Sequence, residues 1–599
     1  MHFGGIYENE IIGKAYDRRL MARFIRYLAP YRWEVIGALC LLPPMATAKL
    51  AQPWLLKLAI DQHIMTGRME GLPLLAFWFL LLIAGESLLT YLEVWLLQHL
   101  GQRVMQDLRM ELFTHVQRLP ASFFDRTPTG SLVTRLTSDV EVLGEMFAAG
   151  IITVVGDVLV LAGIVGIMLW MNLRLSLVTF TVLPLLVWIA FAFRRRMREA
   201  FRAVRARLAN LNSFLAESIG GMAVVQLFNR EETEQHEFSS LNAAYRDANL
   251  PVISWDAALY AGVEAISSVA VGLIIWYGGG EIIRGALTFG ALVAFIQYIE
   301  KFFSPIRDLS AKYSVMQGAM AALERIFQLM DREPSPSTTA NPNKGAEGEV
   351  TSVKMPAPFQ TIEFKDVWFA YQGDEYVLKG FNLSIRRGDK VALVGETGGG
   401  KTTVTRLLSR LYEVSRGCIA IDGTDIRHIP LRELRKKIGV VLQDPYLFTA
   451  TIGYNISLGD GEAESRAELA ARVVGADRLI ARLPRGFEEE VRERGSNFSA
   501  GERQLISFAR AVAFDPEILV LDEATASIDT DSERLIQEGL RGLMAGRTSL
   551  VVAHRLSTIQ DADRIVVVHR GEKAEEGTHQ ELLKARGLYY RLYQLQFKD

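Results

Sequence analysis

The chain has 599 residues, more than one hydrophobic core organises, so at least two domains are expected. Hydrophobic residues make up 50% of it and charged residues 22%, too apolar for a soluble enzyme and too charged for a protein wholly buried in a bilayer. A net charge of -2 excludes the basic footprint of a nucleic-acid binder and the charge excess of an acidic disordered chain.

Residues 1–33 hold polar and basic positions ahead of any long apolar run, and the first such run carries Lys49 and Lys57 with no small-residue cleavage site, so no removable signal peptide is expected. A bilayer core asks for about 20 mainly apolar residues per helix. Stretches of that kind lie at 34–60, 72–99, 147–170, 175–193, 257–279 and 288–305, which predicts six spans. Pro43, Pro44 and Pro53 interrupt the first, and a kinked span is expected there, because neighbours in a membrane bundle can satisfy the carbonyls that proline frees. Arginines collect before the first span (Arg18, Arg19, Arg23, Arg26, Arg32), after the second (Arg103, Arg109, Arg118, Arg126) and after the fourth (Arg194 to Arg207). Those segments, and with them both termini, are expected on the cytoplasmic side, and the short connections 61–71, 171–174 and 280–287 opposite.

Met197, Phe201, Val204, Leu208, Leu211 and Leu215 recur at spacings of four and three, which predicts a helix running beyond the fourth span with an apolar stripe. It packs into a cytoplasmic helical stalk or lies along the bilayer surface. Glu86, Glu93, Asp157, Asp256 and Glu264 fall in or near the spans, where they select cationic cargo or simply reach water. Trp188 and Phe191 line a cavity or face lipid. Cys40 and Cys418 fall in different predicted domains, so no disulfide is expected.

From Glu333 to about Gln360 the composition turns to Pro, Ser, Thr, Asn, Gly and Glu without period, a linker. The predicted domains are therefore a helical membrane domain at 1–332, a linker at 333–358 and an α/β domain with a largely parallel sheet at 359–599.

In the last domain Gly395-Glu396-Thr397-Gly398-Gly399-Gly400-Lys401-Thr402 fits G-x-x-x-x-G-K-[ST] between the strand Val391–Val394 and a helical run starting at Thr403. Glycines there let N–H groups close on phosphates, Lys401 meets the β and γ oxygens, and the Thr402 hydroxyl reaches Mg²⁺. Ile518-Leu-Val-Leu-Asp-Glu523 reads as a buried strand ending in two acids. Asp522 is suited to holding Mg²⁺ and Glu523 to polarising the attacking water, unless both are merely solvated.

Phe498-Ser499-Ala500-Gly501-Glu502, just upstream, resembles the signature motif of the ABC transporter ATPases. The resemblance implies further roles: Tyr371 stacking on adenine, Gln443 sensing Mg²⁺ and the membrane domain, Asp529 in the D-loop, and His554 as the switch at the γ-phosphate. It extends over nearly the whole chain. Phe123-Phe-Asp-Arg126 through Gly130, then Arg135 to Asp139, resembles the first coupling segment of the exporters, near 120–130; Glu217 to Phe228 resembles the second, and Glu493-Arg-Gly495 the exporter X-loop. What the similarity implies is an elbow helix, six membrane helices with cytoplasmic extensions and a P-loop ABC ATPase domain, using ATP and Mg²⁺ in the cytoplasmic membrane to export hydrophobic compounds, peptides or lipids.

In that family ATP is held between the phosphate loop of one ATPase domain and the signature of another, so a second half-transporter is implied. Where L-S-G-G-Q is usual, this chain has Ala500, which adds a methyl near the phosphates, and Glu502, which adds negative charge. Lys401, Thr402, Gln443, Asp522, Glu523 and His554 keep the hydrolysing pattern. This imbalance resembles a subunit of a heterodimer whose other chain carries the consensus signature; a homodimer tolerating a loose signature is the alternative. An ATP-gated channel would share the motifs, whereas a soluble ABC protein acting on ribosomes would lack the spans.

Overall fold

The computed structural model describes residues 17–149, 151–334, 355, 358–522, 530–553 and 555–597. It divides into two compact units, Met1–Thr114 with Gly130–Asp331 and His115–Thr129 with Arg332–Asp599. Residues 115–129, which hold most of the first coupling segment, therefore group with the C-terminal unit. The predicted linker falls almost wholly outside the described residues.

The first unit is helical. Asp17 caps α1 (Arg18–Ile25), accepting from Arg19 N at 2.7 Å, and α1 buries Met21 and Phe24. A 3-10 turn leads to α2 (Arg32–Ala59), and a π-helical turn, Ile60–Ile64, ends it. Then comes α3 (Leu72–Val116), and after it α4 (Ala121–Phe124) of the other unit. Helices α5 (Thr129–Thr134), α6 (Val140–Ala149), α7 (Ile151–Met171), α8 (Leu173–Phe180), α9 (Leu183–Gly220), α10 (Met222–Leu227), α11 (Glu231–Ile283) and α12 (Phe289–Met330) follow.

Among the described residues each of the six predicted spans lies almost wholly on helix, the third shared by α6 and α7 and the fourth divided between α8 and α9 where Pro184 sits in the first turn of α9. Among the described residues four helical stretches are long and apolar enough to cross a membrane: Arg18–Ile64, Leu72–Val116, Thr129–Met171 and Glu231–Ile283. Leu173–Ile189 is shorter, and α12 mixes Glu300, Lys301 and Lys312 into its apolar sequence. At 1.5 Å per residue the 53 residues of α11 reach about 80 Å, far more than the roughly 30 Å of a hydrocarbon core. Of the stripe on α9, which packs along α11, Met197 and Leu211 are buried while Phe201 and Leu208 stay exposed.

Helix α2 stays continuous through its three prolines. Pro53 has no N–H to give the carbonyl of Lys49 four residues back. That carbonyl instead accepts from Lys301 Nζ of α12 at 3.1 Å, and the next one, Leu50 O, accepts from the Tyr298 hydroxyl at 2.7 Å. The same Lys301 ammonium donates to Gln52 Oε1 at 2.8 Å. Further along, Asp61 binds the start of α12, accepting from Thr288 Oγ1 at 2.6 Å and Gly290 N at 2.8 Å. Arg325 of α12 forks onto the buried carboxylate of Asp139, with contacts of 2.6 and 3.0 Å.

In the second unit β1 (Thr361–Ala370), β2 (Tyr376–Arg386), β4 (Arg416–Ile421) and β5 (Thr424–Asp425) form an antiparallel sheet in the order β2-β1-β4-β5. The second sheet runs β10-β9-β3-β8-β7-β6, from β3 (Lys390–Val394), β6 (Ile438–Val441), β7 (Ile518–Asp522), β8 (Thr548–Val552), β9 (Arg564–His569) and β10 (Glu572–Gly577). Only β10 is antiparallel there, since the others are linked through helices. Phe364, Phe381, Ile385, Val391, Leu393 and Leu407 fill one core beside both sheets, and a second core gathers on the helices Gly461–Val474 and Ala500–Ala513. Neither cysteine is bonded.

If Lys301 serves the carbonyl that Pro53 frees, Lys301→Met should lower unfolding stability in detergent by about 1–3 kcal/mol. The same change made on Pro53→Ala, which restores a local N–H, should cost much less. Additive effects in thermal unfolding of the four proteins would refute the link.

Candidate active site

Strand β3 is buried along Val391–Val394 and delivers the chain into a loop that only glycine can follow at two points. Gly395 takes φ +155, and a Cβ there would sit 2.1 Å from Val568 O; at Gly400, with φ +104, it would sit 2.9 Å from Leu378 Cδ2. Gly399 N donates to Glu396 O, and Gly571 N donates to Gly399 O, both at 3.1 Å, which ties the loop to the turn after β9. Glu396, Thr397 and Gly398 form its exposed rim. Helix α13 (Lys401–Leu408) then starts, and its first N–H groups have no intrahelical acceptor, so this end favours an anion.

The Lys401 ammonium is buried against the loop, donating to Gly395 O at 2.7 Å and Glu396 O at 2.8 Å. Burial pushes its pKa below the usual lysine range, while Asp522 and Glu396 pull the other way. One residue on, Thr402 Oγ1 donates to Asp522 Oδ1 at 3.3 Å. β7 brings Asp522 there, since β7 and β3 flank β8 in register, Asp522 opposite Val552 and Leu393 opposite the same residue. A hydroxyl and a carboxylate side by side are hard oxygen donors of the kind Mg²⁺ takes.

Gln443 is exposed in the loop after β6, two residues past Val441, which pairs with Leu521. It thus leaves the sheet at the same end as Asp522. Tyr371, just past β1, turns its hydroxyl to Thr403 Oγ1 of α13 at 3.1 Å, so the Thr403 hydroxyl is already engaged. Glu523, Asp529 and His554 lie outside the described residues.

The signature residues stand apart, with no hydrogen bond to the phosphate loop among the described residues. Ser499 is the N-cap of the helix Ala500–Ala513, and Glu502 closes a capping box: Ser499 N donates to Glu502 Oε2 at 2.8 Å, and Glu502 N to Ser499 Oγ at 3.3 Å. The carboxylate therefore turns back onto its own cap, and partly neutralises the positive end of that helix.

Two contacts escaped the sequence. Tyr412 donates its hydroxyl to Asp125 Oδ2, and Arg126 Nη2 donates to the Tyr371 carbonyl at 2.7 Å. Half-buried Arg510, whose pKa desolvation holds below the usual arginine range, donates to Asn455 O at 2.7 Å and Tyr446 O at 3.1 Å, bracing the loop beyond Gln443. No local pattern announces pairs so far apart in the chain.

Comparison with known proteins agrees with this geometry. Residues 45–306 match the ABC transporter transmembrane region, and residues 378–526 match the ABC transporter family. The uncharacterized ABC transporter ATP-binding protein YknV of Bacillus subtilis is 38% identical over 98% of this chain and 96% of its own length. A protein named ATP-dependent lipid A-core flippase, from Desulfotalea psychrophila, is 35% identical over 97% of this chain and all of its own. A bacterial Atm1-family ABC exporter solved with ATP bound superposes with a TM-score of 0.77 at 29% identity, covering 95% of this chain and 99% of that one. The chain belongs to the ABC transporter family: an exporter-type membrane domain followed by a domain that binds and hydrolyses ATP.

A methyl at position 395 has nowhere to go but into the Val568 carbonyl. Gly395→Ala should weaken ATP binding at least about tenfold, the 1.4 kcal/mol scale of a modest loop displacement, while circular dichroism stays unchanged. Wild-type nucleotide affinity in that variant would contradict the close approach.

Proposed function

We propose that the chain is one half of a dimeric exporter that uses ATP to carry hydrophobic compounds, peptides or lipids across the cytoplasmic membrane, its termini and ATPase domain inside the cell. The observation that carries the chemistry is the meeting of Thr402 with Asp522 beside the buried Lys401 ammonium. Mg²⁺ held by Thr402, Asp522 and Gln443 would supply charge compensation for the phosphates. Gly395 to Gly400 and the first N–H groups of α13 cradle the phosphate oxygens, and Lys401 neutralises them. Glu523 takes the proton of the attacking water, His554 steadies the γ-phosphate, and Tyr371 stacks on the base.

Ser499, Ala500, Gly501, Glu502 and Asp529 serve the site of the other half. Support for a second half comes from the second coupling segment, where Ile219, Leu227 and Phe228 are 67%, 78% and 73% exposed, apolar surface that calls for cover. Support for a different second chain comes from Glu502, whose charge sits at the helix end that an ATP phosphate would approach. The second reading is a homodimeric lipid flippase, favoured by the end-to-end match to a protein of that name.

Four measurements test these readings. Glu523→Gln should bind ATP normally and lose turnover by at least about a hundredfold; near-normal hydrolysis would remove Glu523 as the base. Glu502→Gln keeps a side chain able to close the capping box and removes only the charge, so ATP hydrolysis at the site completed by this signature should rise; an unchanged rate would mean the charge is harmless. Expressed without a second chain, the protein should lack full ATPase activity, whereas a stable, fully active dimer would establish the homodimer. ATP-dependent uptake of drugs, peptides or fluorescent lipids into sealed inside-out vesicles tests export itself.

A further inference from the structure

The first coupling segment is tied to the residue assigned to the nucleotide base, and the tie runs through side chains that phosphate chemistry does not use. Tyr371 is gripped at two ends. Its hydroxyl lies 3.1 Å from Thr403 Oγ1, with Arg406 Nη1 of the same helix at 3.5 Å, so the ring tip is fixed to α13 directly behind the phosphate loop. Its carbonyl accepts from Arg126 at 2.7 Å. Between the two ends its ring meets Tyr412 edge-on, centroids 5.1 Å apart at 86°, and both rings pack against Phe369. The Tyr412 hydroxyl in turn donates to Asp125. Asp125 and Arg126 are neighbours in the segment 115–129, so one dipeptide holds the tyrosine by its backbone and, through Tyr412, by its ring face.

We propose that Asp125, Arg126 and Tyr412 form a base-reading relay, through which the first coupling segment responds to the adenine of bound ATP and not to its phosphates alone. A base stacking on Tyr371 restricts a ring already in edge contact with Tyr412, and Tyr412 transmits that restriction to Asp125 through one hydrogen bond. Linkage works in both directions: a segment that holds Tyr371 in its stacking orientation strengthens ATP binding, and ATP binding stiffens the segment by the same free energy. Asp125, Arg126 and Tyr412 are positioning residues in this scheme, since none touches the reacting atoms. The relay rests on the reading of Tyr371 as the adenine-stacking residue.

The test uses the full-length protein in nanodiscs with Mg²⁺ and either ATP or inorganic tripolyphosphate, which offers phosphates without a base. Amide hydrogen exchange of residues 115–129 should slow more with ATP than with saturating tripolyphosphate. Tyr412→Phe, which keeps the ring and removes the hydroxyl, and Asp125→Asn should each erase that difference. Each should also raise KM for ATP about fivefold, the worth of one net hydrogen bond, with kcat little changed and tripolyphosphate affinity unmoved. Combined, they should cost no more than either alone. Equal protection by the two ligands in the unaltered protein overturns the relay. Tyr371→Ala keeps the two failures distinct: if it leaves KM for ATP unchanged, the stacking reading falls and the relay with it. If it raises KM while Tyr412→Phe and Asp125→Asn do not, the stacking reading stands and the relay alone is overturned.

Discussion

Everything the C-terminal unit does with a phosphate depends on the space left by an absent side chain at Gly395. Because the backbone there passes within van der Waals reach of the Val568 carbonyl, the loop closes tightly enough for Lys401 to fold back onto the carbonyls of Gly395 and Glu396. The same closure starts α13 at the height of the sheet edge where β7 ends, and only from that height can the Thr402 hydroxyl reach the Asp522 carboxylate. Steric exclusion sets the loop, the loop sets the helix, and the helix sets the oxygen pair suited to a hard cation.

Much of this was legible in the sequence because it is local. The phosphate loop, the buried strand before Asp522 and the apolar stretches are each written in consecutive residues, and each reappears as the expected element. The antiparallel sheet was not foreseen: β1 alternates buried and half-buried positions on either side of a register shift between Phe364 and Val367, and that break hides its period of two. The direction of the Glu502 carboxylate was equally invisible, since a capping box and a charge aimed outward use the same letters. Asp125 and Tyr412 are separated by 287 positions, and no spacing rule spans that distance. The roles of Glu523, Asp529 and His554 rest on motif resemblance.

The grouping of residues 115–129 with the C-terminal unit changes how the chain should be divided. A boundary drawn once, in the polar stretch after residue 332, separates composition cleanly. It does not separate mechanics, because a short segment from the first half packs as part of the second. Helix α3 runs from residue 72 to 116, so its last residues already lie in that segment.

The proline at position 53 has a mechanical consequence. Its orphaned acceptor on α2 is served by an ammonium from α12, with Tyr298 engaging the adjoining carbonyl and Asp61 holding the first turn of α12 farther along. Sliding one rod past the other would return a bare carbonyl and a naked cation to hydrocarbon, at a penalty of several kcal/mol. These contacts therefore oppose shear between α2 and α12.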